Sequence, residues 1–162
     1  MLIYSHRQVG TLILIALLIP LAFSVWLGLG MPGPLVGVRL ITLLAGALLA
    51  VCAWLFSSLT VEITETELRW HFGSGLIRSR VALADIESCT LTRTRLIEGW
   101  GIHLTSRGWL YNVSGWRAVH IRLKTGRPFM LGTDEPEELI FALRDALADI
   151  RPNAPPPSNG SE

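Results

Sequence analysis

The chain has 162 residues with six tryptophans, a formal net charge of +1 and half its residues hydrophobic. That is about one ordinary domain in length, but the charge is spread too unevenly for one soluble domain. Between Gln8 and Val61 the one charged residue is Arg39, whereas all thirteen acidic residues lie from Glu62 onward. A near-neutral balance argues against a nucleic-acid-binding protein, for which a basic excess would be expected.

Two apolar runs come first: VGTLILIALLIPLAFSVWLGLG (Val9 to Gly30) and LVGVRLITLLAGALLAVCAWLFSSL (Leu35 to Leu59). Each reaches the ~20 helical residues needed to cross a hydrocarbon core of ~30 Å. The link from Gly30 to Pro34, GMPGP, breaks the helix, so a transmembrane hairpin is expected over residues 1–58, with spans of about 9–30 and 35–58. A cleaved signal peptide is the rival reading of the first run. It is disfavoured by the weak basic start (His6, Arg7) and by the second span that follows directly. Pro20 should kink the first helix, while Gly46, Ala50 and Ala53 form a small-residue stripe for close packing. Trp26 and Trp54 suit the interfaces. Arg39 is either a functional intramembrane charge or, by preference, a residue snorkelling to the nearby interface.

From Leu59 the pattern switches to a period of two. Strands are expected at Leu59–Ile63, Leu68–Phe72, Ile77–Ala82, Glu87–Arg95, Ala118–Lys124 and Arg127–Leu131, with a hairpin at 102–113 turning at Arg107-Gly108. Within GWGIHLTSRGWLYNVSGW (Gly99 to Trp116), Ile102, Leu104, Trp109, Tyr111 and Val113 then share one face, and the rings are expected in the core. Next, TDEPEELIFALRDALADI has Asp134 and Glu137 as a capping pair. Leu139, Ala142, Leu143, Ala146, Leu147 and Ile150 form an apolar stripe, giving a helix at 135–150. A disordered Pro-rich tail, 152–162, is expected to close the chain. Antiparallel strands followed by one helix predict a closed or nearly closed sheet with the helix plugging an end, over residues 59–151.

The pattern G-W-G-I-H-x(4)-G-W-L-Y-N-V-S-G, then A-V-H-I-R-L-K-T-G and L-G-T-D-E-P-E-E-L, resembles bacterial membrane proteins that carry a pleckstrin-homology-like (PH-like) domain after a pair of N-terminal spans. The resemblance implies an α+β membrane protein: a PH-like antiparallel β-barrel or sandwich of seven strands capped by a C-terminal helix, on the cytoplasmic side. Up to eight strands are counted above, so one of them should be a loop. The fold hosts lipid, peptide and protein binding alike, so it carries little function with it.

No P-loop, dinucleotide fingerprint, H-E-x-x-H or G-x-S-x-G motif occurs. No cofactor is expected. His71, His103 and His120 sit at unrelated spacings without cysteine partners, against a metal site. Cys89 reads as a small buried thiol in preference to a nucleophile, and Cys52 lies in a span, so no structural disulfide is expected and a reducing compartment fits.

Charge is more informative. Arg69 to Arg127 holds ten basic and three acidic residues, +7, while Asp134 to Glu162 holds two basic and seven acidic, −5. Arg93, Arg95, Arg122 and Lys124 are the candidate binding residues, each pair leaving one face of its strand. The alternative is a solvated sheet exterior. The turn Thr64-Glu65-Thr66-Glu67 is acidic, which argues against the inositol-lipid recognition of classical pleckstrin domains. The expected function is a membrane-anchored, non-enzymatic adaptor or assembly domain, multi-pass in the inner membrane with both termini cytoplasmic. Its partner would be a protein, an anionic lipid or a second copy. The alternative is an enzyme with an unrecognised site where the β domain meets the membrane.

Overall fold

The structure, a computed structural model, describes residues 1–30, 36–94 and 100–150. Its first element is a strand that the apolar patterning does not announce. β1 (Leu2–Val9) pairs antiparallel with β2 (Ser58–Thr64), from Leu2↔Thr64 through Ser5↔Glu62 to Val9↔Ser58. The two helices α1 (Thr11–Gly30) and α2 (Val36–Leu55) are inserted between these strands. They pack side by side as a hairpin, which returns the chain to the end of β1. Antiparallel pairing across the insertion requires both helix ends to emerge at the same level, and Gly10 N–H donates to Ser57 O at 2.9 Å there.

Each helix has 20 residues, about 30 Å at 1.5 Å per residue, and is long and apolar enough to cross a membrane. Val9 and Ser58, expected at the span ends, belong instead to the strands. α1 runs on through Pro20. Of the expected small-residue stripe, Gly46 and Ala53 are buried but Ala50 is exposed. Gly28 of α1 contributes as well: a Cβ there would meet the Leu43 side chain at 2.9 Å. Trp26 and Trp54 are both exposed, as interfacial rings are. The 31–35 link lies outside the described residues.

The rest is two sheets and a helix. β1, β2, β3 (Glu67–Phe72) and β4 (Ile77–Ala82) form the first sheet in that order. The second runs β5–β8–β9–β7–β6, with β5 at Ile86–Arg93, β6 at Gly101–Thr105, β7 at Gly108–Asn112, β8 at Arg117–Leu123 and β9 at Phe129–Gly132. Of the expected barrel or sandwich, the barrel does not form: neither sheet closes on itself, and β7 joins β9 in parallel and leaves β6 as an edge. α3 (Pro136–Ile150) packs on β1, β2, β5 and β8, covering the flank between edges β1 and β5. The core between the sheets holds Leu59, Val61, Ile63, Leu68, Trp70, Phe72, Val119, Ile121 and Leu131, with Leu139 and Leu143 from α3.

The hairpin reading holds for its faces but not for its turn. Leu104 faces Trp109 and Ile102 faces Tyr111, so the two-residue turn is Ser106-Arg107, one position earlier than expected. Gly108 follows it at φ +111°, where a Cβ would collide with the Pro128 carbonyl. Asn112 is fully buried on the opposite face from Tyr111. Its amide is satisfied locally: Ser114 N–H donates to Oδ1 and Nδ2 donates to Gly115 O. Asp134 does not cap α3. It bonds His6 instead, and Thr133 Oγ1 accepts the Glu135 N–H.

Candidate functional site

The structure disperses the candidate binding residues. Arg93 ends β5 opposite Arg117, while Arg122 on β8 lies opposite Ser88. Arg117 and Arg122 are five residues apart on one strand, so Arg93 and Arg122 are about 17 Å apart along the ladder and on opposite faces. Lys124 follows β8 with its N–H on Asp85 O, and Arg95 lies outside the described residues. Arg93 and Arg122 do not share one patch.

Arg122 instead joins residues that sequence reasoning did not select. On the outer face of the second sheet, Arg107, His120, Arg122 and Arg127 line a cleft of about 400 Å³ with Leu104, Gly108 and Pro128. The parallel β7–β9 pairing creates it, by setting Gly108 beside Pro128. The hairpin tip curls over His120, whose Nε2 lies 3.3 Å from Arg107 O. Arg107 is held down: its Nη1 donates to Thr92 Oγ1 at 2.8 Å and its Nη2 to Arg93 O at 3.2 Å. Among the described residues no carboxylate lines the cleft, and none pairs with Arg122 or Arg127. The signals available in sequence were Gly108 and the Thr125-Gly126 turn, but neither reveals a parallel pairing.

A second basic cleft, of about 710 Å³, lies on the outer face of the first sheet and includes Arg69, His71, Arg78 and Arg80 with Ser74, Gly75 and Glu62. It adjoins the helix bases, since Gly73 N–H donates to Ser58 O at 2.8 Å. Its charges are largely internal. Glu67 lies 2.7 Å from Arg69 and 3.5 Å from Arg80, leaving Arg78, opposite His71, without a carboxylate partner among the described residues. The acidic turn at Glu65-Thr66 joins β2 to β3, so with β1 present it is the second turn of the sheet, and the helical hairpin occupies the first.

The open flank between β4 and β6 carries the aromatic residues. Trp70, Phe72, Ile77, Ile102, Trp109 and Tyr111 line a groove of about 260 Å³. Trp70 stacks on Phe129 at 4.8 Å between ring centroids and meets Tyr111 edge-on at 5.2 Å. Here the expectation that Trp109 is core fails: the ring is 39% exposed, on the wall of the groove that opens between it and the β3–β4 residues Trp70, Phe72 and Ile77. Trp116 is also exposed and Trp100 half-buried, the two rings 5.7 Å apart.

Titratable groups gather at the start of α3. The His6 ring lies between Asp134 (2.7 Å) and Glu135 (3.0 Å). Loss of solvation raises the Glu135 carboxyl, helped by Glu138 and Asp134 and opposed by His6. Burial likewise raises the Tyr4 hydroxyl far above its ordinary range, with Glu135, Glu138 and Asp134 adding to the shift. Cys89 is buried and its thiol is raised by desolvation, against a smaller lowering by Arg144. A thiol kept protonated in this way is a poor nucleophile. No group of three or more His, Cys, Asp or Glu residues suited to a metal occurs among the described residues.

Comparison of the chain with protein-family models, with curated proteins and with solved structures finds no match.

Proposed function

We propose that this chain is a membrane-anchored, non-enzymatic adaptor whose PH-like β domain presents a binding surface at the cytoplasmic face of a bacterial inner membrane. The observation that carries the proposal is the insertion of two apolar helices between paired strands β1 and β2. An anchor joined through one flexible linker would let the domain swivel. Two helices entering and leaving adjacent strands fix its orientation, and a fixed orientation suits a surface that must meet a partner in register with the bilayer. Two facing sheets with a C-terminal helix along one flank agree with the PH-like resemblance, and both termini lie on one side if the helices cross. The basic clefts and the aromatic groove provide recognition surfaces.

The test is photo-crosslinking in native membranes from probes at Leu104, Trp109 and Arg122, with identification of the captured species. A defined protein adduct at these sites supports the adaptor. Adducts to lipid alone at all three would replace it with a membrane-surface module.

A further inference from the structure

We propose that Arg122, Arg127 and His120, under the curled β6–β7 tip, form a binding site for a phosphate monoester with an apolar substituent, delivered from the aqueous phase and not from the bilayer. The site deepens the adaptor reading and rests on it for the identity of the phosphate carrier. Three observations converge. Arg122 and Arg127 line one cleft with no carboxylate among its described lining residues, so two guanidinium groups share it without a counter-charge from those residues. Arg107, by contrast, is fixed on Thr92 and the Arg93 carbonyl, so the cleft wall is held before a ligand arrives. The rim is apolar on one side at Pro128, which lies against Gly108. A phosphate dianion meets the guanidinium donors, and an attached ring or alkyl group covers Pro128.

Position separates the bilayer from the water as the source. The helix bases adjoin the 113–115 loop, since Gln8 Nε2 donates to Ser114 O and a Cβ on Gly10 would meet Val113 at 3.1 Å. β8 leads away from that loop, and Arg122 lies about 17 Å beyond Arg117 along it. That is roughly two Debye lengths at physiological salt, so the potential of an anionic surface falls to about an eighth. Arg78, beside the helix bases, is the residue placed to feel lipid charge.

The experiment uses the full chain in nanodiscs of zwitterionic lipid, with the His120 ring and arginine side-chain resonances followed by NMR. Inorganic phosphate and phenyl phosphate are titrated against chloride at matched ionic strength. The expected result is saturable shifts at His120 with phosphate but not chloride, and about fivefold tighter binding of phenyl phosphate. Arg122→Gln with Arg127→Gln should weaken binding by at least ~10-fold at unchanged thermal midpoint, whereas Arg78→Gln with Arg80→Gln should leave it intact. Chloride acting as well as phosphate, equal loss in both double variants, or His120 shifts driven by anionic lipid without phosphate would each overturn the site. Phosphate binding here without any captured protein partner would remove the adaptor reading alone; a captured partner without phosphate binding would remove the site alone.

Discussion

Gly132→Ala tests whether the loop that meets the helix bases is built as described. A Cβ at Gly132 would overlap the Asn112 side-chain amide, and Asn112 is fully buried. The new methyl must expel that amide, which holds Ser114 N–H and Gly115 O. The two hydrogen bonds, at 3.2 and 3.3 Å, are long, so about 1 kcal/mol each is a fair value for their loss. Overpacking adds ~1–3 kcal/mol, giving ~3–5 kcal/mol in all. Asn112→Ala alone should cost ~2–3 kcal/mol from the same unsatisfied partners. The double variant is the informative one. The methyl then fills the space the amide left, and the total should stay near ~2–3 kcal/mol, far below the sum of the singles. Thermal unfolding of the full chain in nanodiscs reads this as a midpoint shift of ~4 °C per kcal/mol for a domain of about 100 residues. Additive losses in the double variant, or a Gly132→Ala midpoint equal to wild type, would refute the packing.

Two further outcomes follow from burial. Phe72→Ala should cost ~3–5 kcal/mol, since its ring is enclosed by Phe56 and Tyr111, while the half-open Trp109→Ala should cost ~2 kcal/mol. Equal losses in the same thermal assay would mean that the β4–β6 flank is closed. Cys89 should resist alkylation at pH 8 until the domain unfolds, because burial keeps its thiol protonated. Rapid labelling in the folded protein, followed by mass spectrometry, would contradict that burial.

Much of this architecture was legible because it rests on local periodicity. The apolar runs gave both long helices, the Leu139–Leu143–Leu147 stripe gave α3, and alternation from Leu59 gave β2 to β4. β1 was not legible: in LIYSHRQV three apolar residues precede four polar ones, so neither period appears, and the flank of an apolar helix masks a strand whose partner lies beyond the second helix. The Trp109 environment failed for a related reason. Face sharing follows from hairpin parity, but burial depends on how closely the opposing sheet packs, and an open groove beside β4 leaves the ring 39% exposed. The cleft at Arg122 was half visible. Arg122 was singled out by charge alternation, yet its companions Arg107 and Arg127 meet it only through a parallel pairing between residues 109–111 and 129–131. The proposed grouping of Arg122 with Arg93 assumed one face, and the ladder places them on two.

The helical hairpin is inserted within the β domain, and if its helices cross a membrane, β1 and β2 must pair on one side of it. Ser5 and Glu62 are direct partners in that pairing. The decisive measurement is oxidative crosslinking of Ser5→Cys with Glu62→Cys in native membranes, in a chain also carrying Cys52→Ser and Cys89→Ala. A rapid intramolecular disulfide, with both cysteines blocked by an impermeant maleimide from the same side, is the predicted result. No intramolecular crosslink, or labelling of the two cysteines from opposite sides, would contradict the account.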